Sequence, residues 1–142
     1  MAYYFSKTLS TRFDDAVQRT TEALKQAGFG IITEIDVKDT LRKKLDVDFR
    51  SYRILGACNP RLAYEALKLE DKIGTMLPCN VVVQQTADGK VEVAAIDPVA
   101  SMMAIDNPTL RKPPRRCARR CGEWWRACRK PCRRNLNQAL TP

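Results

Sequence analysis

The sequence predicts one α+β domain over residues 1–110, followed by a compositionally separate segment, 111–142. Three observations carry this reading. Apolar residues alternate between a helical period near 3.6 and a strand period of two. Asp88-Gly89, flanked by two β-rich runs, is a hairpin signal that makes its strands antiparallel neighbours. Charge, cysteine and tryptophan content all change abruptly after Leu110. A chain of 142 residues can bury a core without disulfides or metal.

Tyr3–Leu9 reads as a first strand. Thr11 and Asp14 form a capping-box-like T-x-x-D, and Asp15 adds charge to the first turn. An amphipathic helix over 12–27 follows, with Phe13, Ala16, Val17, Thr20, Leu24 and Ala27 as its stripe and Gly28 as its stop. From Phe29 the period becomes two. Phe29, Ile31, Thr33, Ile35 and Val37 are expected on one face, and Ile32, Glu34, Asp36 and Lys38 on the other. Val37, Leu41 and Leu45 then predict a short helix.

A strand over Tyr52–Ala57 runs into Asn59-Pro60, a cap followed by proline at the first helical position. The helix behind it, with Leu62, Ala63, Ala66 and Leu67 on one face, is expected to reach Lys72. Leu77–Gln85 and Val91–Ile96 are the hairpin strands. Asp97-Pro98 and Asn107-Pro108 are two further helix starts, the second of which meets Pro113-Pro114 after only five residues.

The net charge of +9 is a property of the tail. From Arg111 onward there are nine Arg and two Lys against Glu123 alone, a net of 11 − 1 = +10, which leaves the body at 14 − 15 = −1. The body gives nucleic acid no electrostatic footprint. The chain has no His, so the commonest metal ligand and general base is missing. No run approaches the roughly 20 apolar residues of a membrane span. The opening MAYYFSKTLSTRF lacks the apolar stretch of a signal peptide, so a cytoplasmic protein is expected.

Two groups of body residues are candidates for chemistry. Cys58 and Cys79 stand in similar contexts, GACN and LPCN, each at a strand end, where they would form a redox pair or meet in a pocket. The competing reading is that each is a small buried hydrophobe. Glu34, Asp36 and Lys38 share a predicted strand face and, with Arg53, would make a polar patch for a small ligand or for acid/base work. The competing reading is a charged strand edge. Tyr52, Ile54 and Cys58 alternate on one face and are expected in the core rather than in a cofactor box.

DFRSYRILGACNPRLAYEAL over Asp48–Leu67, LPCNVVV over Leu77–Val83 and AIDP over Ala95–Pro98 resemble the domain of unknown function 302 family. YYFSKTL and GFGIITEIDVK fit it in order and spacing, so the resemblance covers residues 3–110. It implies a curved antiparallel sheet with helices packed on one face, similar to the TATA-binding-protein architecture and often dimeric. It also implies a long C-terminal helix after NPTL, and it brings no established reaction or cofactor.

Here the tail departs from the family. Cys117-x3-Cys121-x6-Cys128-x3-Cys132 is a weak zinc candidate, because it lacks C-x2-C knuckles and sits among arginines. Eleven cations around Trp124 and Trp125 would grip phosphates and stack on bases without specificity. The four Cys and two Trp nevertheless fall at i, i+4, i+7, i+8, i+11 and i+15, a helical stripe. Cys (TGY) and Trp (TGG) read one base earlier become N-T-G, hence Met, Val or Leu. Pro and Arg codons shift to Ala, Ser, Thr, Pro, Lys, Glu or Gln. The tail therefore reads as the expected helix displaced out of frame near codon 111.

On these grounds the body is expected to be a non-enzymatic small-ligand-binding or protein-interaction module without a cofactor, acting as a homodimer. A thiol-dependent enzyme using Cys58 or Cys79 is the alternative, and nucleic-acid or zinc binding through the tail stands third.

Overall fold

The computed structural model describes residues 3–97, 100–101 and 103–111. Five strands form one antiparallel sheet in the order β1-β5-β4-β3-β2. They are β1 (Tyr4–Leu9), β2 (Gly30–Asp36), β3 (Tyr52–Cys58), β4 (Cys79–Gln85) and β5 (Val91–Ile96). Helix α1 (Phe13–Gln26) links the two edge strands, β1 and β2, across one face. Helices α2 (Val37–Leu45) and α3 (Pro60–Leu69) join β2 to β3 and lead out of β3, and a 3-10 helix (Asp71–Met76) precedes β4. A final short helix, α4, covers Pro108–Arg111.

The core lies between α1 and one face of the sheet. Register aligns Leu55 with Val81, Arg53 with Val83, and Val83 with Val93, while Leu9 pairs with Val91. These apolar side chains point the same way and, with Ala16 of α1, are all buried. Phe13, Val17 and Leu24 add the rest of the helical stripe. Each fully buried Leu or Val contributes on the order of 1.5–3 kcal/mol, so this layer holds α1 on the sheet. The opposite face carries Tyr52, Ile54, Val82, Gln84, Glu92 and Ala94, all half-buried.

Local signals explain most boundaries. Gly28 takes φ +85°, and Phe29 N–H donates to Leu24 O at 2.9 Å, closing α1 as a left-handed cap. Asn59 Oδ1 accepts from Leu62 N–H at 3.3 Å, with Pro60 behind it. Gly89, at φ +79°, turns the β4–β5 hairpin, where Thr86 N–H donates to Lys90 O at 2.8 Å.

Four expectations are corrected. The capping box fails because Arg12 is the cap residue of α1 and makes no side-chain cap bond; Thr11 lies one residue outside. The second long helix stops at Leu69, where Glu70 turns extended and its carboxylate receives Lys72 N–H, starting the 3-10 segment. The face assignment of β2 holds only as far as Ile31. A bulge between Ile31 and Thr33 reverses the alternation, so Glu34 pairs with Leu55 on the α1 side and Ile35 with Ile54 on the other. Ile32 and Ile35 are left 61% and 47% exposed. Tyr52, Ile54 and Cys58 are correspondingly not part of the α1 core, which uses Leu55 and Ala57 instead.

Asn107-Pro108 does start a helix, and Asn107 Nδ2 ties it to α3 by donating to Leu69 O at 3.1 Å. The zinc candidate Cys117, Cys121, Cys128 and Cys132, the tryptophans and the out-of-frame reading lie outside the described residues.

Candidate functional site

Asp36 ends β2, and its side chain serves two elements. Oδ1 accepts from Asp39 N–H at 2.9 Å and caps α2, while Oδ2 accepts from Arg53 Nη2 at 3.0 Å. Arg53 Nη1 donates to Glu34 Oε1 at 2.8 Å, so one guanidinium holds two carboxylates on the adjacent strand. The bulge makes this possible, since it brings Glu34 onto the face that Arg53 occupies. Arg53 also lies 5.8 Å from the centre of the Phe13 ring, and its Nε is buried without a partner among the described residues.

Three of the four polar candidates thus meet, and the fourth does not. Lys38 belongs to α2 rather than to the strand, and it pairs loosely with Asp48 at 3.9 Å. The Asp36 carboxyl is held below its ordinary value, first by the Asp39 N–H and then, against a desolvation cost, by Arg53. A general base near neutral pH needs the reverse shift. Chemically the cluster is a clamp that fixes edge strand β2 to β3 beside the N-terminal end of α1.

Cys79 starts β4 opposite Ala57, one step from Cys58, and both thiols are free. Successive strand residues face opposite sides, so the register sets Cys58 and Cys79 on different faces. Burial raises the Cys79 thiol above its ordinary value, with a smaller push from Cys58. Reactive thiols are shifted the other way. No cluster of three or more Cys, Asp or Glu fit to hold a metal occurs among the described residues.

A third feature was not visible as a site in the sequence. The sheet face away from α1 presents Tyr52, Ile54, Val82 and Ala94 at its centre, with Tyr4 and Ile35 on its two edge strands. Gly56 is its one buried strand position among the described residues, with Thr33 and Pro78 against it. Arg50 closes one end. Its Nε donates to Gln84 Oε1 at 2.9 Å, and its guanidinium lies 4.4 Å from the Phe49 ring and 5.4 Å from Tyr52. Gln84 Nε2 passes on to Glu92 Oε1 at 2.9 Å. Alternation in β3 and β4 was a signal for this face, but the bulge in β2 masked its extent.

No described helix is long and apolar enough to cross a membrane. A comparison with curated proteins finds no match. Among solved structures, the chain is similar to the uncharacterized conserved protein DUF302 from Bacillus stearothermophilus, with a TM-score of 0.72 and 29% identity. That likeness covers 79% of this chain and 87% of the other. The sequence model of the family described as Domain of unknown function DUF302 matches residues 5–120, ten residues beyond Leu110. With most of the chain matched by the family's sequence model and 79% of it matched in three dimensions to a solved member, the protein belongs to the DUF302 family.

Proposed function

We propose that the domain is a non-enzymatic binding module whose contact surface is the sheet face away from α1, which is only half-buried among the described residues. The observation that carries this reading is the contrast between the two faces. On one, Leu9, Leu55, Val81, Val83, Val91 and Val93 are sealed under α1. On the other, Tyr4 and Ile35 are 42% and 47% exposed, and Ile54, Val82 and Ala94 are only half-buried. Ile35, Ile54, Val82 and Ala94 are register partners and form one apolar row across four strands, flanked by polar Thr33, Asn80, Gln84 and Glu92, and an apolar strip with a polar rim is the usual form of an interaction site.

Both candidate chemistries argue in the same direction. The Asp36 carboxylate is stabilised in its charged form, and the Cys79 thiol in its neutral form. Neither shift supplies a base poised near pH 7 or a ready thiolate. The thiol-dependent alternative rests on Cys58, at the end of β3 before the α3 cap.

A thermal-shift screen of the protein against metabolites and redox reagents separates the readings. Stabilisation without turnover supports binding. Consumption of peroxide or disulfide that Cys58→Ser abolishes would replace it with the enzyme.

A further inference from the structure

We infer that the ligand of the sheet face away from α1 is an amphiphilic monocarboxylate, its carboxylate held by Arg50 and its alkyl chain laid over Ile54 and Val82. This assignment rests on the binding reading above and names its ligand class. Arg50 is a cation fixed in place with half of its donors unused. Nε donates to Gln84 Oε1 at 2.9 Å, and the guanidinium lies 4.4 Å from the Phe49 ring and 5.4 Å from the Tyr52 ring. Among the described residues no carboxylate pairs with Arg50, and no acceptor takes up Nη1 or Nη2. Those two groups form a planar fork that fits both oxygens of a carboxylate. Tyr52 and Gln84 are register partners, so the tethered guanidinium stands beside the row of Ile54 and Val82, two residues along the same strands.

The shape of the apolar row selects the tail of the ligand. Ile35, Ile54, Val82 and Ala94 cross four strands, a run of about 14 Å at roughly 4.8 Å per strand step. The row is one side chain wide, between Thr33 and Asn80 on one side and Gln84 and Glu92 on the other. Such a strip suits a single alkyl chain and falls far short of the roughly 800 Å² per partner of a standard protein interface. Charge selects the head. Arg50 supplies one positive charge, and the Glu92 carboxylate stands on the far side of Gln84, whose Nε2 it receives at 2.9 Å. A singly charged carboxylate is balanced by Arg50, whereas a phosphate dianion meets like charge from Glu92 and an uncharged head leaves the fork empty.

The test is calorimetric titration and methyl NMR of the full chain with decanoate, below its micelle concentration and in enough salt to screen the +10 of residues 111–142. Decanoate is expected to shift the methyls of Ile54 and Val82 and to leave Val83 and Val93 unmoved. Decanol, which has the same chain without the charge, and decyl phosphate, a dianion at about pH 8, each bind about tenfold or more weakly. Arg50→Gln weakens decanoate by about tenfold or more, the share of a charge-assisted hydrogen bond, and Arg50→Lys recovers only part of it. Arg19→Gln, which removes the same charge from an exposed position on α1, leaves the affinity unchanged. The decanol and phosphate arms use the wild type, so a poorly folded variant does not blunt the test. Decanoate that binds no better than decanol or decyl phosphate, or equally well to folded Arg50→Gln, overturns the assignment, and so does decanoate that leaves Ile54 and Val82 unmoved. In each of these cases another compound that shifts those two methyls preserves the binding reading, whereas failure of every compound in the thermal-shift screen removes that reading too.

Discussion

Arg53 and Asp36 are direct cross-strand partners, and the guanidinium Nη2 donates to the carboxylate Oδ2 at 3.0 Å. The same arginine holds Glu34, so its removal leaves two carboxylates facing each other on β2. Arg53→Leu should lower stability by about 1–2 kcal/mol, since the bonds are charged but the acids are half-exposed. Arg53→Lys, which cannot reach both acids in a planar fork, should recover only part of this. Urea midpoints of the three proteins check the order.

The pH dependence follows from the same pair. Asp36 is depressed below the ordinary 3.8, so its contribution is present above that value and is lost as pH falls through the lower folded value. Asp36 is 42% exposed, which limits the effect to under about 1 kcal/mol. The stability difference between the wild type and Asp36→Asn should therefore be constant from pH 5 to 7. It should shrink below about pH 3.8 in acid titrations followed by circular dichroism.

Gly56 should tolerate no side chain. A Cβ there would lie 2.6 Å from Pro78 Cγ and closer still to Thr33 Oγ1. Gly56→Ala is expected to cost about 1–3 kcal/mol through overpacking. The double variant Gly56→Ala with Thr33→Ala, which removes the hydroxyl that the new Cβ meets, should regain part of the loss in the same melt.

Thr20 is fully buried on α1, and its hydroxyl has no hydrogen-bond partner among the described residues. Thr20→Val keeps the shape and removes an unsatisfied polar group, so it should stabilise the domain by about 1 kcal/mol. A higher melting temperature confirms this; a lower one would show that the hydroxyl has a partner.

Cys79 should behave as a buried hydrophobe. Its raised thiol pKa means that the folded state disfavours thiolate, so stability is fully present below the ordinary value of 9.0 and falls as pH rises past it. Alkylation at pH 8 should be at least about tenfold slower at Cys79 in the folded protein than in urea. Peptide mapping of the labelled thiols measures the ratio.

Much of this architecture was legible because local chemistry and tertiary structure agree. Gly28, Asn59-Pro60 and Asp88-Gly89 each satisfy backbone groups that any fold would have to satisfy, and the structure uses all three. The face of β2 beyond Ile31 is not legible in the sequence because a bulge is an event of pairing: nothing in GIITEID reveals which residue its neighbour will skip. Glu34, Asp36 and Arg53 were identifiable as a group by charge, but Lys38 was lost when the strand ended at a capping aspartate. The open face was hidden for a related reason, because half-buried Ile54 and Val82 carry the same pattern as core residues.

The claim that the sheet face away from α1 is the working surface is tested most directly by methyl NMR of the full chain titrated with the compounds that stabilise it in the thermal-shift screen. The account predicts shifts at Ile35, Ile54 and Val82, with Val83 and Val93 under α1 unmoved. Shifts confined to other surfaces, or none at saturating concentrations of those compounds, would contradict it.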